Sequence, residues 1–472
     1  MSAPAPTSSP LDPSLVKGLA AEVEGPVLLP GEDGYDDERA GFELTVDQHP
    51  AVAVGAVSAQ DVVAAVVWAA AQGLPVAVQA TGHGASSPAD GVVFVSTKRM
   101  QDMTVDPDTK TATFGAGVRW EKVIAAAAEH GLAPLSGSAP FVGATSYTLG
   151  GGLGLMSRTY GLASDSVVEF DLVTADGRLL RVLPESEPDL FWGVRGSKGN
   201  LGIVTSLTVR LYRVPLLYGG SFFIDGEHLR SALATWLDWT AGIDEWTATS
   251  VFMVQFPNAD GLPPALKGNF VLTIRLSYVG PDLESGRRSF AELREALPPL
   301  LDGEVADLTY IEAGKIHNDP PSPVPSQSRT VRLKAPDAKL LDLLVETAGP
   351  GADVSFGVEA RLLGAALDRP SPVPGAVRPP IGADLNIYIA SLVPDPTEAD
   401  GIAAEHQAFL DALAPWTAPG CEVNFLAGRN TGVKLTRGAY VPEDYERLRE
   451  LKTTWDPGNV FRFNPNIPPR DA

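Results

Sequence analysis

One histidine, His83, lies between two glycines in the stretch QATGHGASS, directly after the short apolar run LPVAV. A side chain confined in this way can coordinate a metal, serve a nucleophile or contact a bound group, and no metal ligand or nucleophile occurs close to it in the sequence. A glycine-flanked histidine is otherwise a hydrogen-bonded turn residue. Both the bound group and the turn residue stay open as interpretations of His83.

Three glycine-rich stretches could cradle phosphate: ATGHGAS, TLGGGLGLMS and RGSKGNLGIVTS. Dense glycine lets backbone N–H groups approach a ligand closely and point inward. The P-loop string G-x-x-x-x-G-K-[ST] does not occur, and the dinucleotide pattern G-x-G-x-x-G fails after Gly152 and Gly154 because Ser157 takes the third position. The stretches favour a phosphate-bearing cofactor held by neither of these loops, although GGGLG alone could equally be turn structure.

Hydrolase and metal chemistry lack their sequence patterns. The Gly-x-Ser-x-Gly elbow of serine hydrolases is missing, since SGSAP fails at its last position. There is no His-Glu-x-x-His or Cys-x-x-Cys string. We therefore predict neither a serine hydrolase nor a metal site. The remaining histidines are isolated: His49, His130, His228, His317 and His406.

The charge balance argues against two classes of partner. The 472 residues carry a formal net charge of −22, and no cluster of Lys and Arg suggests a surface for nucleic acid or an anionic membrane. The longest purely apolar run, 62–71, is too short to span a bilayer, and we see no export signal.

The single cysteine, Cys421, excludes intrachain disulfides, so we expect a reducing cytoplasm.

Residues 43–215 mix short strands with helices. SAQDVVAAVVWAAAQG predicts a helix with Ser58 as N-cap and Gly73 as its end, and RWEKVIAAAAEHG predicts a second that ends at Gly131. The predicted strands are PVAVQA, GVVFVST, TATFGAG, VVEFDLVTADG and LGIVTSLTVRLYRV.

Residues 216–419 have a different pattern of predicted strands and helices. Long β-type runs (NFVLTIRLSYVG, ADLNIYIASLVPD) alternate with helical runs (HLRSALATWLDW, GIAAEHQAFLDALAPW), which predicts an α+β domain with an antiparallel sheet backed by helices. DPPSPVPSQS and RPSPVPGAVRPP read as loops. We expect two domains, preceded by a mobile tail and lead-in (1–42) and followed by a C-terminal segment (420–472).

Four stretches, in this order, resemble the FAD-binding domain of the vanillyl-alcohol oxidase superfamily, in its berberine bridge enzyme-like branch with bacterial relatives: GLPVAVQATGHGAS, GLAPLSGSAPFVGATSYTLGGGLGLMSRTYGLASDSV, DLVTADGRLL and PDLFWGVRGSKGNLGIVT. The tail YVPEDYERLRELKTTWDPGNVFRFNPNIPP is similar to that branch's C-terminal signature, which closes over the flavin. The resemblance covers residues 45–215 and 420–468 and implies a two-domain PCMH-type FAD-binding fold.

The resemblance further implies FAD joined through its 8α-methyl group to an imidazole nitrogen of His83. Many relatives add a cysteine link, but this chain has Ala139 at the matching position in APFVG, so we expect one covalent bond. The residues expected at the cofactor are Gln79, Ala80, Thr81, Gly82, His83, Gly84, Ala85, Ser138, Ala139, Val142, Gly143, Ser146, Tyr147, Gly150, Gly151, Gly152, Gly154, Leu155, Asp165, Gly202, Ile203, Val204, Asn464 and Asn466.

A flavin that accepts hydride needs a base for the substrate's adjoining O–H or N–H. In CEVNFLAG, strand alternation puts Glu422 and Asn424 on one face, where many relatives have Tyr-x-Asn. A buried carboxylate with a raised pKa could be this base. The alternative is a solvated glutamate on an edge strand.

Three further residues have two interpretations each. DLNIYIAS places Asn386 and Tyr388 on one face of a strand, where Tyr388 either lines the substrate pocket or only packs. Tyr147 either stacks near the flavin ring or fills the domain interface. Asp165 either caps a loop or touches the cofactor.

Three functions stay open. The first is an FAD-dependent oxidase of an alcohol, a hemiacetal or a natural-product intermediate, with electrons passed to O₂ to give H₂O₂. The second is a dehydrogenase with another electron acceptor. The third is a flavin-bearing cyclase without net redox in natural-product biosynthesis. Glutamate in place of tyrosine departs from the sugar-oxidising pattern and favours a tailoring step of secondary metabolism.

Overall fold

The structure, a computed structural model, describes residues 11, 13–371 and 376–470. Most of the predicted mobile tail (1–10 and 12) and part of the predicted loop RPSPVPGAVRPP (372–375) lie outside the described residues. The lead-in to residue 42 is not without structure, because it forms two helices and a strand. Val16 and Leu19 of the first helix are buried in a core with residues of the helix capped by Ser58. The lead-in is therefore ordered by this packing, which its composition alone did not indicate.

The first half of the chain contains the helices α1 (Pro13–Glu22), α2 (Tyr35–Arg39), α3 (Ala59–Gln72), α4 (Trp120–Ala128), α5 (Ala144–Leu149), α6 (Ser157–Tyr160) and α7 (Pro188–Val194). Its strands are β1 (Val27–Leu28), β2 (Val52–Gly55), β3 (Val76–Gln79), β4 (Val93–Ser96), β5 (Met103–Asp106), β6 (Thr111–Gly115), β7 (Leu132–Ala133), β8 (Val167–Val173), β9 (Leu179–Val182), β10 (Ile203–Arg210) and β11 (Tyr212–Arg213).

The second half contains the strands β12 (Leu217–Asp225), β13 (Thr247–Gln255), β14 (Phe270–Tyr278), β15 (Leu300–Leu308), β16 (Ser326–Leu333), β17 (Gly357–Leu362), β18 (Leu385–Leu392) and β19 (Thr417–Ala418). Its helices are α8 (Leu229–Thr240), α9 (Leu283–Ala296), α10 (Ala338–Ala348), α11 (Ala399–Ala412), α12 (Val433–Gly438) and α13 (Pro442–Trp455).

Strands of the first half form small sheets joined by glycine-containing loops. One sheet has the order β1-β2-β4-β3, in which β2, β4 and β3 are parallel, and another is antiparallel with the order β5-β6-β10-β8-β9. The prediction for α3 is confirmed, because the Ser58 side chain accepts the N–H of Asp61 and Gly73 ends the helix at φ 66°. The loop after β3 carries His83.

Strands of the second half form one large antiparallel sheet with the order β15-β12-β14-β13-β17-β18-β16-β19. Its apolar face packs against α8, α9, α10 and α11, which confirms the predicted α+β arrangement. Alternation sends the other side chains of the central strands to the opposite face. The polar residues of this face include Thr273, Arg275, Ser277, Ser250, Glu359, Arg361, Asn386, Tyr388, Thr330 and Arg332.

Two sequence predictions in this region are wrong. CEVNFLAG is not a strand, because Gly420 turns the chain at φ 85° and Val423–Phe425 form a 3₁₀ turn, closed by the N–H of Phe425 on the Glu422 carbonyl. DPPSPVPSQS is a loop only as far as residue 325. Ser326 begins β16 because it pairs with Leu392 and bonds to the Glu43 carboxylate.

The C-terminal segment packs onto the first half of the chain. Tyr445, Leu448 and Leu451 of α13 are buried in the same core as residues of α7. The N–H of Val76, at the start of β3, donates to the carbonyl of Val460. Among the residues that the structure describes, no helix has the length and apolar content needed to cross a bilayer.

Candidate active site

The His83 ring lies against two aromatic rings and keeps one nitrogen without a hydrogen-bond partner among the described residues. It stacks on Phe42 with 3.8 Å between ring centroids and faces Phe141 at 5.7 Å. Nδ1 lies 2.8 Å from Thr81 Oγ1, whereas Nε2 is buried and has no hydrogen-bond partner among the described residues. Burial, together with repulsion from Arg119, lowers the pKa of His83 to about 4. The imidazole is therefore neutral at pH 7.

The three glycine-rich stretches meet around this histidine. The Gly143 N–H donates to Thr81 Oγ1 over 3.3 Å, which joins the first stretch to the loop that leads into the second. The N–H groups of Gly196 and Lys198 donate to the Leu149 carbonyl over 2.8 and 3.0 Å, which joins the third to the second. Tertiary contacts thus bring together loops that are far apart in the sequence.

Lys198 was not singled out from the sequence, although it interrupts a glycine-rich stretch. Its Nζ lies against Gly84, because a Cβ built at Gly84 would come within 2.7 Å of it. Burial lowers the pKa of Lys198 to about 8. A lysine inside a phosphate-type glycine loop is the signal that could have identified it, since the cradle's N–H groups and an ammonium attract the same anion.

The C-terminal segment is fastened to the third glycine-rich stretch by Asn200. Its Nδ2 donates to the Pro465 carbonyl over 2.9 Å, and the N–H of Ile467 donates to its Oδ1 over 2.8 Å. The neighbouring residues Asn464 and Asn466 each keep a buried Oδ1 without a partner among the described residues. These two predicted cofactor residues therefore retain free acceptors at the meeting point of the loops.

The same segment also closes on the His83 loop. The N–H of Gly428 donates to the Ala85 carbonyl over 2.7 Å, and Thr431 Oγ1 donates to the Ser86 carbonyl over 2.8 Å. The predicted residues of the first loop are therefore covered by chain from the far end of the sequence.

Other predicted cofactor residues use their side chains elsewhere. Gln79 Nε2 donates to the carbonyls of Arg39 and Ala40 in the lead-in, and Ser138 Oγ donates to Asp319 over 2.6 Å. Such residues could meet a cofactor only through their backbone. The same holds for Leu155, Ile203 and Val204, whose side chains lie in hydrophobic cores.

Asp165 and Tyr147 both make structural contacts, and each also keeps a buried oxygen, Oδ1 and the phenol hydroxyl, without a hydrogen-bond partner among the described residues. Asp165 Oδ2 accepts the Leu162 N–H over 2.9 Å and an N–H of Arg378 over 2.7 Å, so it caps a loop. The Tyr147 ring packs edge-on against Trp120 with 5.8 Å between centroids, and burial raises the pKa of its hydroxyl.

Glu422 lies in the interior, not in solvent. Its Oε1 is 3.6 Å from Nε of Arg332, and its Oε2 is buried without a partner among the described residues. Burial raises the pKa of Glu422 against the opposing effect of Arg332. Asn424 instead positions α5, because its Nδ2 donates to the Tyr147 carbonyl over 2.8 Å and its Oδ1 lies against Gly150.

The polar face of the large sheet lies opposite the second glycine-rich stretch. Tyr388 lies on this face, and its ring contacts Phe425 with 5.1 Å between centroids. A narrow space separates the two surfaces. It is lined by Leu153, Gly154 and Ser157 on the loop side and by Ser250, Arg275, Ser277 and Arg361 on the sheet side.

The residues at the meeting point fit FAD. Unpartnered buried atoms (Nε2 of His83, Oγ of Ser197, Oδ1 of Asn464 and Asn466) lie in or beside the glycine loops that converge there. Glycine-loop N–H groups suit a pyrophosphate, and free side-chain acceptors and donors suit the polar parts of a flavin nucleotide.

Comparison with known proteins agrees with this site. Residues 50–183 match the family of FAD binding domains, and residues 430–468 match the berberine and berberine-like family. The FAD-linked oxidoreductase YgaK of Bacillus subtilis is 27% identical, and the (R)-6-hydroxynicotine oxidase of Paenarthrobacter nicotinovorans is 28% identical. Each alignment covers 95% of this chain and 98% of the relative.

Solved structures show the same fold. A crystal structure of 6-hydroxy-D-nicotine oxidase from Arthrobacter nicotinovorans superposes with a TM-score of 0.81 at 24% identity, covering 94% of this chain and 98% of that one. The BBE-like 1 protein of Physcomitrella patens gives 0.83 at 20% identity, covering 96% and 99%. The chain is therefore an FAD-dependent oxidoreductase, with one region that matches FAD binding domains and a C-terminal region that matches the berberine and berberine-like family.

Proposed function

We propose that the chain is an oxidase that carries FAD on Nε2 of His83 and oxidises a small organic substrate, with O₂ as the electron acceptor. The observation that carries the proposal is the convergence of three glycine-rich stretches on an imidazole with one buried, unpartnered nitrogen. The relative named (R)-6-hydroxynicotine oxidase supports an oxidase of a small molecule.

His83 is suited to a single covalent bond. When Nδ1–H donates to Thr81 Oγ1, Nε2 keeps its lone pair, and the lowered pKa keeps that lone pair unprotonated at neutral pH. The stacked Phe42 ring fixes the imidazole plane. Ala139 offers no second nucleophile, so one bond is expected.

The other residues of the site bind and orient the cofactor. FAD, when bound, supplies the acceptor for the substrate's hydride. We assign Lys198 and the glycine N–H groups to the phosphates, because Nζ of Lys198 lies beside Gly84. We assign Asn464 and Asn466 to polar groups of the cofactor, because each has a buried Oδ1 without a partner among the described residues.

We assign the base to Glu422. Its unpartnered Oε2 can accept the substrate's O–H or N–H proton, and burial raises its pKa toward the range where a carboxyl both loses and regains a proton. Tyr388 shares the polar face and lines the substrate space in this assignment. Asn424 has a positioning role, since it holds α5 by its backbone.

Two residues, Cys421 and Glu422, bear on the cellular compartment and the metabolic role of the enzyme. Burial raises the pKa of the sole thiol, Cys421, to about 12, so it is unreactive and suits a reducing cytoplasm. Glutamate at 422, where many relatives have tyrosine, leads us to propose a tailoring step in secondary metabolism.

The test begins with the purified protein. We expect the yellow colour to remain with the polypeptide after denaturation, and intact mass to include one FAD. His83→Ala should release free flavin on denaturation, whereas His130→Ala, which changes an exposed histidine, should not. The enzyme reduced by substrate or dithionite should reoxidise in air within seconds in a stopped-flow experiment.

Three results would count against the proposal. A colourless polypeptide from wild-type protein would remove the covalent bond. Reoxidation that takes minutes would indicate a dehydrogenase with another acceptor, and turnover without bleaching of the flavin band under anaerobic conditions would indicate chemistry without net redox.

A further inference from the structure

Three arginines lie in one row across the polar face of the large sheet. The strand registers place Arg275 opposite Ser250, Ser250 opposite Arg361, Arg361 opposite Asn386, and Asn386 opposite Arg332. Side chains directly opposite one another on neighbouring strands point to the same face. The row therefore places three guanidinium groups on the polar face, and Arg275 and Arg361 line the space beneath the second glycine-rich stretch.

These guanidinium groups are almost removed from water. The side chains of Arg275, Arg361 and Arg332 are 11%, 14% and 5% exposed. A buried cation is strongly unfavourable unless it is paired and hydrogen-bonded. Arg332 lies near Glu422, which leaves the pairing of Arg275 and Arg361 to be explained.

One carboxylate serves both Arg275 and Arg361. Glu359 Oε1 accepts from Arg275 Nη1 over 3.0 Å, and Glu359 Oε2 accepts from Arg361 Nη2 over 3.0 Å. Although burial opposes ionisation, the two arginines hold the pKa of Glu359 well below its usual value. Burial and Arg275 lower the pKa of the adjoining His317 far enough to keep it neutral. These four residues therefore carry a net charge of +1, and the Asp319 carboxylate is a further charge that acts on Arg361.

The unused donors of this cluster border the narrow space. Nε of Arg275, Nε of Arg361 and Oγ of Ser277 are buried and lack hydrogen-bond partners among the described residues. All three side chains line the space, whose other walls include the apolar Leu153 and Ile316. A charged, planar donor pair beside an apolar wall matches an organic anion with a hydrocarbon body.

We propose that the substrate of the proposed oxidase carries a carboxylate, which Arg275 and Arg361 bind from the polar face of the large sheet. Guanidinium groups bind carboxylates through paired N–H donors, and such charge-assisted bonds are stronger than neutral ones. Anchored there, the substrate extends along the polar face toward Glu422. The inference rests on the proposed function, because it describes the substrate of that same site.

The experiment uses flavin-loaded protein and two matched pairs of probes, acetate with acetamide and benzoate with benzamide. Binding is followed by calorimetry and by the shift of the visible flavin band. We expect a carboxylate to bind at least about tenfold more tightly than its amide, since hydrogen bonds to a charged group exceed neutral ones by this much. Arg275→Gln and Arg361→Gln should each abolish this preference.

The matched control is Arg230→Gln, which removes an arginine that is 41% exposed and pairs with Asp342 on the surface. This variant should keep the wild-type preference. Arg361 also donates to the Leu153 carbonyl over 3.1 Å, so its variant could fail to hold flavin. Among the described residues Arg275 donates to Glu359 and not to the glycine loops, so Arg275→Gln then decides the test.

Several outcomes would overturn the inference. Equal binding of acid and amide, or no binding of either acid, would overturn it. If the same protein still shows the yellow flavin band and forms peroxide with a neutral alcohol, the proposed oxidase function stands even though the carboxylate site does not. Phenyl phosphate binding more tightly than benzoate would indicate a phosphate site. A changed flavin potential in Arg275→Gln with unchanged acid preference would assign the row to the cofactor.

Discussion

Replacement of Lys452 by methionine should destabilise the chain and loosen the cofactor site together. Lys452 on α13 and Asp456, which follows the end of that helix, are fully buried, with 2.6 Å between Nζ and Oδ2. The ammonium also donates to the carbonyls of Asn200 over 2.8 Å and Phe461 over 2.9 Å, so all three N–H groups are used. Asn200 is the residue that fastens the C-terminal segment to the third glycine-rich stretch.

The size of the loss in stability depends on which hydrogen bonds Asp456 keeps when Lys452 is replaced. Removing one member of a buried ion pair costs about 3–5 kcal/mol, because the remaining charge is left unpaired. Asp456 would retain the N–H groups of Val460 at 2.7 Å and Phe461 at 2.9 Å. We therefore expect the lower end, about 3 kcal/mol, which reduces the ratio of folded to unfolded protein roughly a hundredfold.

Urea unfolding followed by tryptophan fluorescence measures this free energy. Lys339→Met, a change at an exposed lysine, should leave it within about 0.5 kcal/mol of wild type. Adding Asp456→Asn to Lys452→Met should recover part of the loss, because the unpaired charge is gone. A loss below about 1 kcal/mol in Lys452→Met, or no recovery in the double variant, would refute the reasoning that a buried charge pair holds this segment.

Three other predictions concern the site itself. Glu422→Gln should lower kcat about 10²–10⁴-fold and remove the rise of kcat with pH through the raised pKa of Glu422, and an unchanged pH profile would exclude this carboxylate as the base. Gly150→Ala should abolish flavin incorporation, because a Cβ there would overlap Oδ1 of Asn424; Gly150→Ala combined with Asn424→Gly should restore part of it. Lys198→Met in the His83→Ala background should weaken FAD binding about ten- to a hundredfold in a fluorescence titration, and equal affinities would show that the ammonium beside Gly84 does not contact phosphate.

Local signals in the sequence predicted the regular elements well. Helix α3 is confirmed at both ends, since an N-cap serine and a left-handed glycine act within one turn of the backbone. Strand β18 is confirmed together with its alternation, because Ile387 enters the core while Asn386 and Tyr388 lie on the polar face. Both are decided by residues adjacent in the chain.

The candidate site depended on contacts that no local pattern contains. Glu422 was placed on a strand because its neighbours alternate, but a glycine turn and a 3₁₀ hydrogen bond decided its backbone. The row of Arg275, Arg361 and Arg332 exists only through the registers of five strands, whose order in the sheet differs from their order in the sequence. Sequence reasoning could find the glycine-rich loops by their composition, but not the arginines opposite them.

Several buried polar atoms without hydrogen-bond partners among the described residues lie on the glycine-rich loops, on the polar face of the large sheet and in the C-terminal segment. They include Nε2 of His83, Oε2 of Glu422, and Nε of Arg275 and of Arg361. Leaving such an atom unsatisfied costs about 1–3 kcal/mol, so a fold shaped by stability alone would pair them within the protein. Their arrangement makes sense if ligands complete them: the flavin at His83, a carboxylate at the arginines, and a transferred proton at Glu422. The loss in free energy of unfolding and the proposed chemistry then have the same origin, because the unpartnered atoms that destabilise the folded chain are those that bind its ligands.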